Sequence, residues 1–487
     1  MKRAIGVALL LMFAAGGVRA ADLLSVFQDA LANDPQIREA DANRKAAREA
    51  RPQAWAQLLP QISGTAGLQR GNTENTQPTS QEVLDPVTNQ PTGEIVFVPR
   101  RSKFDLDTTQ WNFELRQNLF SWSNWAQLRA SDYLVAQAEA DYRAAEQALM
   151  QRVAQRYFGV LAAQDTLAAQ EAALEAFNRQ LDQANKRFEV GLIAITDVQE
   201  TKSARDQAAA AVIAAKRALA TAEELLREVT GQKYETLSRP GTDMPLRSPQ
   251  PSDEQEWVET ALDQNPLLLS SRLAADAARE NVRAAFGGHL PTIDLVGTWS
   301  KSEDDGEVTI GNLPRVPFPQ DRENKTYGIQ VQIPIFSGGG TQSRVREQQY
   351  RWIAAKERVT RTSRETERAA RDAYLGVISE IARVQALAQA LESSQTSLKA
   401  TEAGYEVGTR TSVDVLDQRR LLVQAQTDYA RSRYDYLQNV INLRLAAGNL
   451  DSETLQELNA LLTATAPTPP TAPTTPQQQQ QQPQQQQ

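Results

Sequence analysis

Residues Trp111 to Phe120 read "WNFELRQNLF". Trp111, Phe113, Leu115 and Leu119 share one parity, and Asn112, Glu114, Arg116 and Asn118 share the other. Period two sends successive side chains to opposite faces of a β-strand, so this segment has one apolar and one polar face. "YGIQVQIPIF", from Tyr327 to Phe336, repeats the pattern, with Tyr327, Ile329, Val331, Ile333 and Ile335 set against Gly328, Gln330 and Gln332. A weaker partner precedes each: "LPQISGTAGLQR" from Leu59, with Ile62, Ala66 and Leu68 in phase, and "LPTIDLVGTWS" from Leu290, with Ile293, Leu295 and Trp299. These read as two hairpins whose strands are about 9 to 11 residues long, enough to cross a bilayer at a tilt. Polar loops, about Gly71 to Lys103 and Glu303 to Lys325, are expected to join them.

A soluble sheet with one wet face gives the same alternation. Three features favour a membrane barrel. Trp111, Trp122, Trp125, Trp299 and Tyr327 cluster at or near the segment ends, as membrane-interface aromatics do. The joining loops are long and polar, as outer-face loops are. The opposite ends meet helical sequence, at Leu59-Pro60 and Leu290-Pro291 or just after Phe120 and Phe336. Four strands cannot close a barrel, and an open edge in lipid leaves backbone groups unpaired, so the chain is expected to share its barrel with copies of itself.

Between Pro99 and Pro240, and again between Pro334 and Pro467, there is no proline, and Ala, Gln, Glu, Arg and Leu dominate. Such stretches favour helix. From about Asn124 to Phe188 only Gly159 interrupts, and roughly 65 residues at 1.5 Å each give a rod near 100 Å. The alanines of "ARDQAAAAVIAAKRALATAEELL", from Ala204 to Leu226, permit close side-by-side packing. An ordinary coiled coil has the same periodicity, and the helices alone leave that alternative open.

The architecture is written twice. "ALANDPQIREADANRKAARE" from Ala30 matches "ALDQNPLLLSSRLAADAARE" from Ala261 without a gap, aligning Pro35 with Pro266 and Glu49 with Glu280. "YFGV" from Tyr157 answers "YLGV" from Tyr374, and Gly231 answers Gly448. The expected organisation is an export signal over 1–20, a first repeat over 21–230, a linker over 231–252, a second repeat over 253–448, a closing segment over 449–462 and a disordered Pro/Thr/Gln-rich tail over 463–487.

The turn phrases are also duplicated, "FEVGLIAITDVQE" at Phe188–Glu200 and "YEVGTRTSVDVLD" at Tyr405–Asp417. Gly191 and Gly408 suit the left-handed residue that ends a helix. Thr196 with Gln199 reads as a capping box for the next helix, and Thr411 with Asp414 as its parallel. By local physics Asp414 is a first-turn acid facing a favourable dipole, a purely structural role that Asp417 also suits. The copies differ where Tyr405, Arg410 and Asp417 replace Phe188, Ile193 and Glu200.

Composition excludes several function classes. A net charge of −8, with both signs dispersed, argues against nucleic acid as a partner. The chain has no cysteine and a single histidine, His289, which leaves no thiol chemistry and no histidine-based metal or acid–base site. "SGGGT" from Ser337 lacks the lysine of a phosphate-binding loop and reads as a turn. Neither catalysis nor a cofactor is expected. No segment beyond the signal offers roughly 20 uninterrupted apolar residues, which sets aside an α-helical membrane span.

"RFEVGLIAITDVQ" from Arg187, "AGYEVGTRTSVDVLD" from Ala403, "AYLGV" from Ala373 and "GHLPTIDL" from Gly288 resemble the TolC family of outer-membrane factors, or outer membrane efflux proteins, of Gram-negative export systems. The resemblance runs from about Ala21 to Leu462. It implies a homotrimer in which each protomer gives four strands to a 12-stranded outer-membrane barrel, continued by a helical tunnel through the periplasm. It further implies docking to a periplasmic adaptor and an inner-membrane transporter of the RND, ABC or MFS kind. By the same resemblance, Asp414 and Asp417 form acidic rings at the tunnel mouth, able to bind blocking cations. Tyr405 and Arg410 become gate ties to Asp197 and Thr196, the second hairpin moving and the first anchoring it. Val190, Gly191, Leu192, Val407, Gly408 and Thr409 fall at the turns where adaptors dock. The alternative from another class is a structural or adhesive surface coiled coil with a β-barrel anchor.

Overall fold

The computed structural model describes residues 20–241 and 244–463. The expected export signal, apart from Ala20, and the expected tail, apart from Thr463, lie outside the described residues. The first copy runs α1 (Leu23–Asn33), α2 (Pro35–Arg48), α3 (Ala50–Ala56), β1 (Gln61–Leu84), β2 (Pro91–Phe120), α4 (Trp122–Glu189) and α5 (Ile195–Thr230). A short strand, β3 (Arg239–Pro240), precedes the second copy: α6 (Glu254–Gln264), α7 (Pro266–Phe286), β4 (Thr292–Ile310), β5 (Val316–Pro317), β6 (Gln320–Gln332), α8 (Gly340–Glu406) and α9 (Ser412–Ala447). Helix α10 (Ser452–Asn459) and strand β7 (Leu462–Thr463) follow.

The breaks between elements repeat for the same physical reasons. Asp34 and Asn265 stand just before Pro35 and Pro266, which occupy the first position of α2 and α7, where a missing N–H costs nothing. The Asp34 carboxylate accepts from the Gln36 N–H at 2.7 Å, and the Asn265 side-chain oxygen accepts from the Leu267 N–H at 3.0 Å. Gly231 and Gly448 end α5 and α9 with φ of +72° and +79°.

One compact unit comprises residues 45–138 and 271–358 and holds the large sheet. Strands β1, β2, β4 and β6 pair antiparallel in that order, with β5 also beside β4. The register puts Phe113 opposite Trp299, Leu115 opposite Gly297, and Gly297 opposite Tyr327. Ile62, Ala66, Leu68, Trp111, Phe113, Leu115, Leu295, Trp299, Tyr327, Ile329 and Val331 therefore share one face. Tyr327 is 88 % exposed and Ile329 65 %, so nothing among the described residues covers them. On the opposite face Arg116 and Asn118 donate to the Asp294 carboxylate at 2.8 and 2.9 Å, and Thr108 donates to Asp304 at 2.7 Å.

The strands are much longer than the sequence pattern suggests: 24 residues in β1, 30 in β2, 19 in β4 and 13 in β6. Most of the expected first loop is paired hairpin, from Gly71 opposite Leu106 to Glu82 opposite Ile95. Its turn is confined to residues 85–90, where the Asp85 carboxylate accepts the N–H of Val87 at 2.8 Å and of Thr88 at 3.0 Å. A backbone ladder needs no apolar face, so this polar, Thr- and Gln-rich stretch forms strand without alternating. At the other end β6 stops at Gln332 because Pro334 has no N–H to give the ladder, and Ile333 and Ile335 lie beyond the strand. Trp111, Trp299 and Tyr327 accordingly stand inside strands and not at their ends. They mark where the apolar band ends: beyond them the same face carries Asp107 and Asp105, Lys301 and Glu303, and Lys325 and Glu323.

The second unit comprises, among the described residues, 20–44, 139–241, 244–270 and 359–463. Its core joins Leu23 and Phe27 of α1, Tyr157 and Leu161 of α4, Leu437 and Ile441 of α9, and Leu455 of α10. Repeat-equivalent tyrosines hold the two ends of the linker: Tyr157 donates to the Ser238 carbonyl at 2.7 Å, and Tyr374 to the Ser252 carbonyl at 2.5 Å. Between them the Tyr436 hydroxyl accepts the Arg247 N–H at 2.9 Å. Strand β3 pairs with β7, Pro240 opposite Leu462, so linker and closing segment share a ladder.

Gly448 and Gly191 have nearly the same φ, +79° and +77°, and alanine at either adopts a left-handed backbone costing about 1–2 kcal/mol. Only at Gly448 does a methyl meet backbone, with Asn265 Cα at 2.5 Å; around Gly191 nothing lies within 4 Å. Gly448→Ala is expected to lower the thermal unfolding midpoint well below that of Gly191→Ala. Equal midpoints contradict the close packing at Asn265.

Candidate functional site at the paired helical turns

The α4–α5 and α8–α9 turns are closed by the same hydrogen bonds. The Leu192 N–H reaches back to the Arg187 carbonyl at 2.9 Å, and the Thr409 N–H to the Gly404 carbonyl at 2.8 Å. Gly191 and Gly408 provide the left-handed residue this closure requires. Val190, Leu192 and Val407 project from the turns, each at least 69 % exposed. Thr409 Oγ1 also donates to the Gly404 carbonyl, at 3.1 Å.

The helix starts then differ. In the second copy Thr411 Oγ1 accepts the Asp414 N–H at 3.2 Å, and Asp414 Oδ2 accepts the Thr411 N–H at 2.9 Å, a complete capping box. In the first copy the cap position is Ala194, which has no side-chain oxygen, and Thr196 lies inside α5. The expected box of Thr196 with Gln199 is therefore not formed. Both caps fall three residues after the turn glycine, so spacing from Gly191 decides the cap, and that spacing selects Ala194. Asp197 occupies the place of Asp414.

The backbone N–H and then the hydroxyl of Thr411 hold the Asp414 carboxyl below its ordinary 3.8, with Arg410 adding a smaller effect. Asp414 is thus ionised near neutrality. Asp417, one turn further, accepts from Arg420 at 3.2 Å, and the other arm of that guanidinium donates to Gln207 of α5 at 3.3 Å.

Between the two hairpins, Leu416 is buried against Ala173 and Phe177 of α4 and Ala204 and Ala208 of α5. Full burial of a leucine is worth about 1.5–3 kcal/mol, whereas an exposed ion pair contributes about 0–1 kcal/mol. The apolar seat therefore dominates, and polar contacts bias it. Ser412 Oγ lies 3.5 Å from Asp197 Oδ1, and the Arg187 guanidinium sits over the Tyr405 ring, 4.9 Å from its centroid. Within one chain Asp197 is reached by Ser412, and neither Tyr405 nor Arg410 is brought to Asp197 or Thr196.

At the base of the apolar band, Trp122 and Trp125 open α4. Trp125 meets the Trp55 ring edge-on at 6.2 Å, and Arg129 lies over Trp122 at 5.4 Å. Trp111 is half-exposed, and the Trp299 indole N–H donates to Glu323 at 2.8 Å. Among the described residues no cluster of His, Cys, Asp and Glu could hold a metal ion, and no helix is long and apolar enough to cross a membrane.

A match to the outer membrane efflux protein family covers residues 26–232 and 257–449, one stretch for each copy. The chain belongs to this family. Outer membrane protein TolC of Vibrio cholerae is 34 % identical over 446 residues, covering 91 % of this chain and 94 % of its own. Alkaline protease secretion protein AprF of Pseudomonas aeruginosa is 28 % identical over 436 residues, 89 % of this chain and 86 % of its own. The crystal structure of the Campylobacter jejuni CmeC outer membrane channel superposes with a TM-score of 0.68 at 19 % identity, covering 91 % of this chain and 90 % of that one, which shows the shared fold. This member of the outer membrane efflux family is thus an outer-membrane protein of the channel class, as the sequence resemblance implied.

Four contact residues escaped the sequence reading. Trp55 lies four residues before Leu59 but outside any alternating segment. Arg187 and Ser412 sit within the turn phrases, but helical periodicity does not say which residue of the other hairpin each meets. Arg420 lies three residues beyond Asp417 and carries an i,i+3 signal.

Restoring an oxygen at the first cap, Ala194→Ser, is expected to stabilise the start of α5, and Thr411→Ala to fray the start of α9, each by about 1 kcal/mol. Amide hydrogen exchange in each first turn checks both; unchanged protection contradicts the cap assignment. Because the folded Asp414 carboxyl titrates below its unfolded 3.8, its contribution is present above that value and lost as pH falls through the folded one. Protection at the start of α9 should therefore hold from neutral pH down to about 4 and fall below it.

Proposed function

We propose that the chain is the protomer of a homotrimeric export duct, a 12-stranded barrel in the outer membrane continued by a helical tunnel through the periplasm. The observation that carries this reading is the single sheet with one apolar exposed face, one polar face and, among the described residues, no partner for the outer edges of β1 and β6. Lipid offers those edges no hydrogen bonds, so neighbouring copies must. Four long strands from each of three protomers close the ring. Trp55, Trp122 and Trp125 at one end of the band, and Trp111, Trp299 and Tyr327 at the other, are the interface girdles.

The duct opens and closes at the periplasmic end by movement of the second hairpin, α8 to α9, against the first. Asp414 and Asp417, one turn apart and repeated around the trimer axis, form stacked acidic rings that favour cations. Tyr405 and Arg410 reach Asp197 and Thr196 across protomers. The exposed tips, Val190, Gly191 and Leu192 with Val407, Gly408 and Thr409, receive a periplasmic adaptor, which connects the duct to an inner-membrane RND, ABC or MFS transporter. The chain contributes passage and not catalysis.

Reconstitution in a planar bilayer tests the reading. A low-conductance, cation-preferring pore is expected, blocked by multivalent cations added on the periplasmic side. Asp414→Ala with Asp417→Ala should abolish the block. Absence of current contradicts the duct and favours a surface coiled coil with a β anchor, while an undiminished block in the double variant removes the acidic rings.

A further inference from the structure

We infer that Arg187 is a positioning residue of the closed state, acting through the face of the Tyr405 ring. Together with Arg420 it forms a reciprocal pair of arginine ties between the two hairpins. This inference rests on the reading that the second hairpin moves against the first.

The two ties run in opposite directions. Arg187, in the last turn of α4, sends its guanidinium from the first hairpin onto an aromatic ring of the second, at 4.9 Å. Arg420, on α9, sends its guanidinium from the second hairpin to Gln207 of α5, at 3.3 Å, while its other arm holds Asp417 at 3.2 Å. Leu416 packs into the apolar cluster that joins the same two hairpins. Each tie belongs to the chain's asymmetry. The second copy has Gly404 where the first has Arg187, and the first copy has Ser203 where the second has Arg420.

The chemistry of the two contacts differs in a way that can be measured. A guanidinium over a ring is attracted by the face of the π system, so the contact needs the ring and a cation but not the hydroxyl. The Arg187 tie is thus distinct from any hydrogen bond that the Tyr405 hydroxyl makes across protomers. Arg420, by contrast, works through directed N–H donors, and a lysine cannot hold Asp417 and Gln207 together with the same fork. Arg420 also sets a cation beside an acid proposed for the tunnel mouth, so its removal both loosens the hairpins and unmasks Asp417.

Single-channel recording of the assembled protein in planar bilayers tests this. Arg187→Gln is expected to raise the open-to-closed ratio about fivefold for each protomer, the equivalent of about 1 kcal/mol for one cation–π contact. Arg187→Lys should return the ratio toward that of the unaltered protein, because the charge is kept. Tyr405→Leu should exceed Tyr405→Phe, since only leucine removes the ring, and Arg187→Gln added to Tyr405→Leu should raise the ratio no further. Leu416→Ala serves as the reference, unseating the second hairpin without touching either arginine. If Leu416→Ala raises the ratio and Arg187→Gln does not, the Arg187 tie is overturned while the moving hairpin stands. If Leu416→Ala also leaves it unchanged, the moving hairpin is overturned and the tie with it.

Discussion

A polypeptide crossing lipid must hydrogen-bond all of its own backbone, and the rest of this structure depends on that constraint. It explains why β1, β2, β4 and β6 form one continuous antiparallel ladder, and why one face of that ladder carries Tyr327, Ile329 and Val331 exposed, with nothing among the described residues to cover them. It also explains why the opposite face concentrates paired polar groups such as Arg116 with Asp294 and Thr108 with Asp304. Among the described residues the ladder is satisfied from within except at the two outer edges. Those edges are where the proposed self-association would supply the missing hydrogen bonds, by the same requirement that shaped the sheet.

Duplication supplied two versions of the long helical hairpin, and their helix starts have diverged. The turn geometry is the same in both, set by Gly191 and Gly408, because the chain must reverse direction in a few residues at each place. The helix starts are not equivalent. Thr411 and Asp414 cap α9 reciprocally, whereas Ala194 leaves α5 without a side-chain cap. The second hairpin thus carries its own local order into the turn, and it meets the first through one apolar seat at Leu416 and a few polar contacts. Such a contact surface is held mainly by burial and biased by charge, which suits a joint that closes firmly and is released by modest forces.

Much of this was readable in the residues. The apolar band announced itself through period two because lipid demands an apolar face wherever strand meets it, and the long helices through two proline-free stretches. The hairpin beyond the apolar band was not readable as strand: polar residues lie on both faces there, so Gly71 to Lys103 looked like loop although most of it pairs. The cap at Ala194 was missed because residue type pointed to Thr196, while spacing from Gly191 pointed elsewhere. Placing Asp414 and Asp417 on one helix face needed only the sequence. The Arg187–Tyr405 and Leu416 contacts depend on how helices distant in sequence pack, and helical periodicity leaves that open.

The central claim is that the two hairpins are seated on each other when the duct is closed and separate when it opens. The chain has no cysteine, so a single engineered disulfide can test this cleanly. Asp197→Cys with Ser412→Cys replaces two side chains that meet at 3.5 Å across the hairpins. Current through the reconstituted protein should be lost or strongly reduced when the pair is oxidised and recover when it is reduced, with neither single variant responding to oxidation. Undiminished current with the cross-link complete would contradict the account.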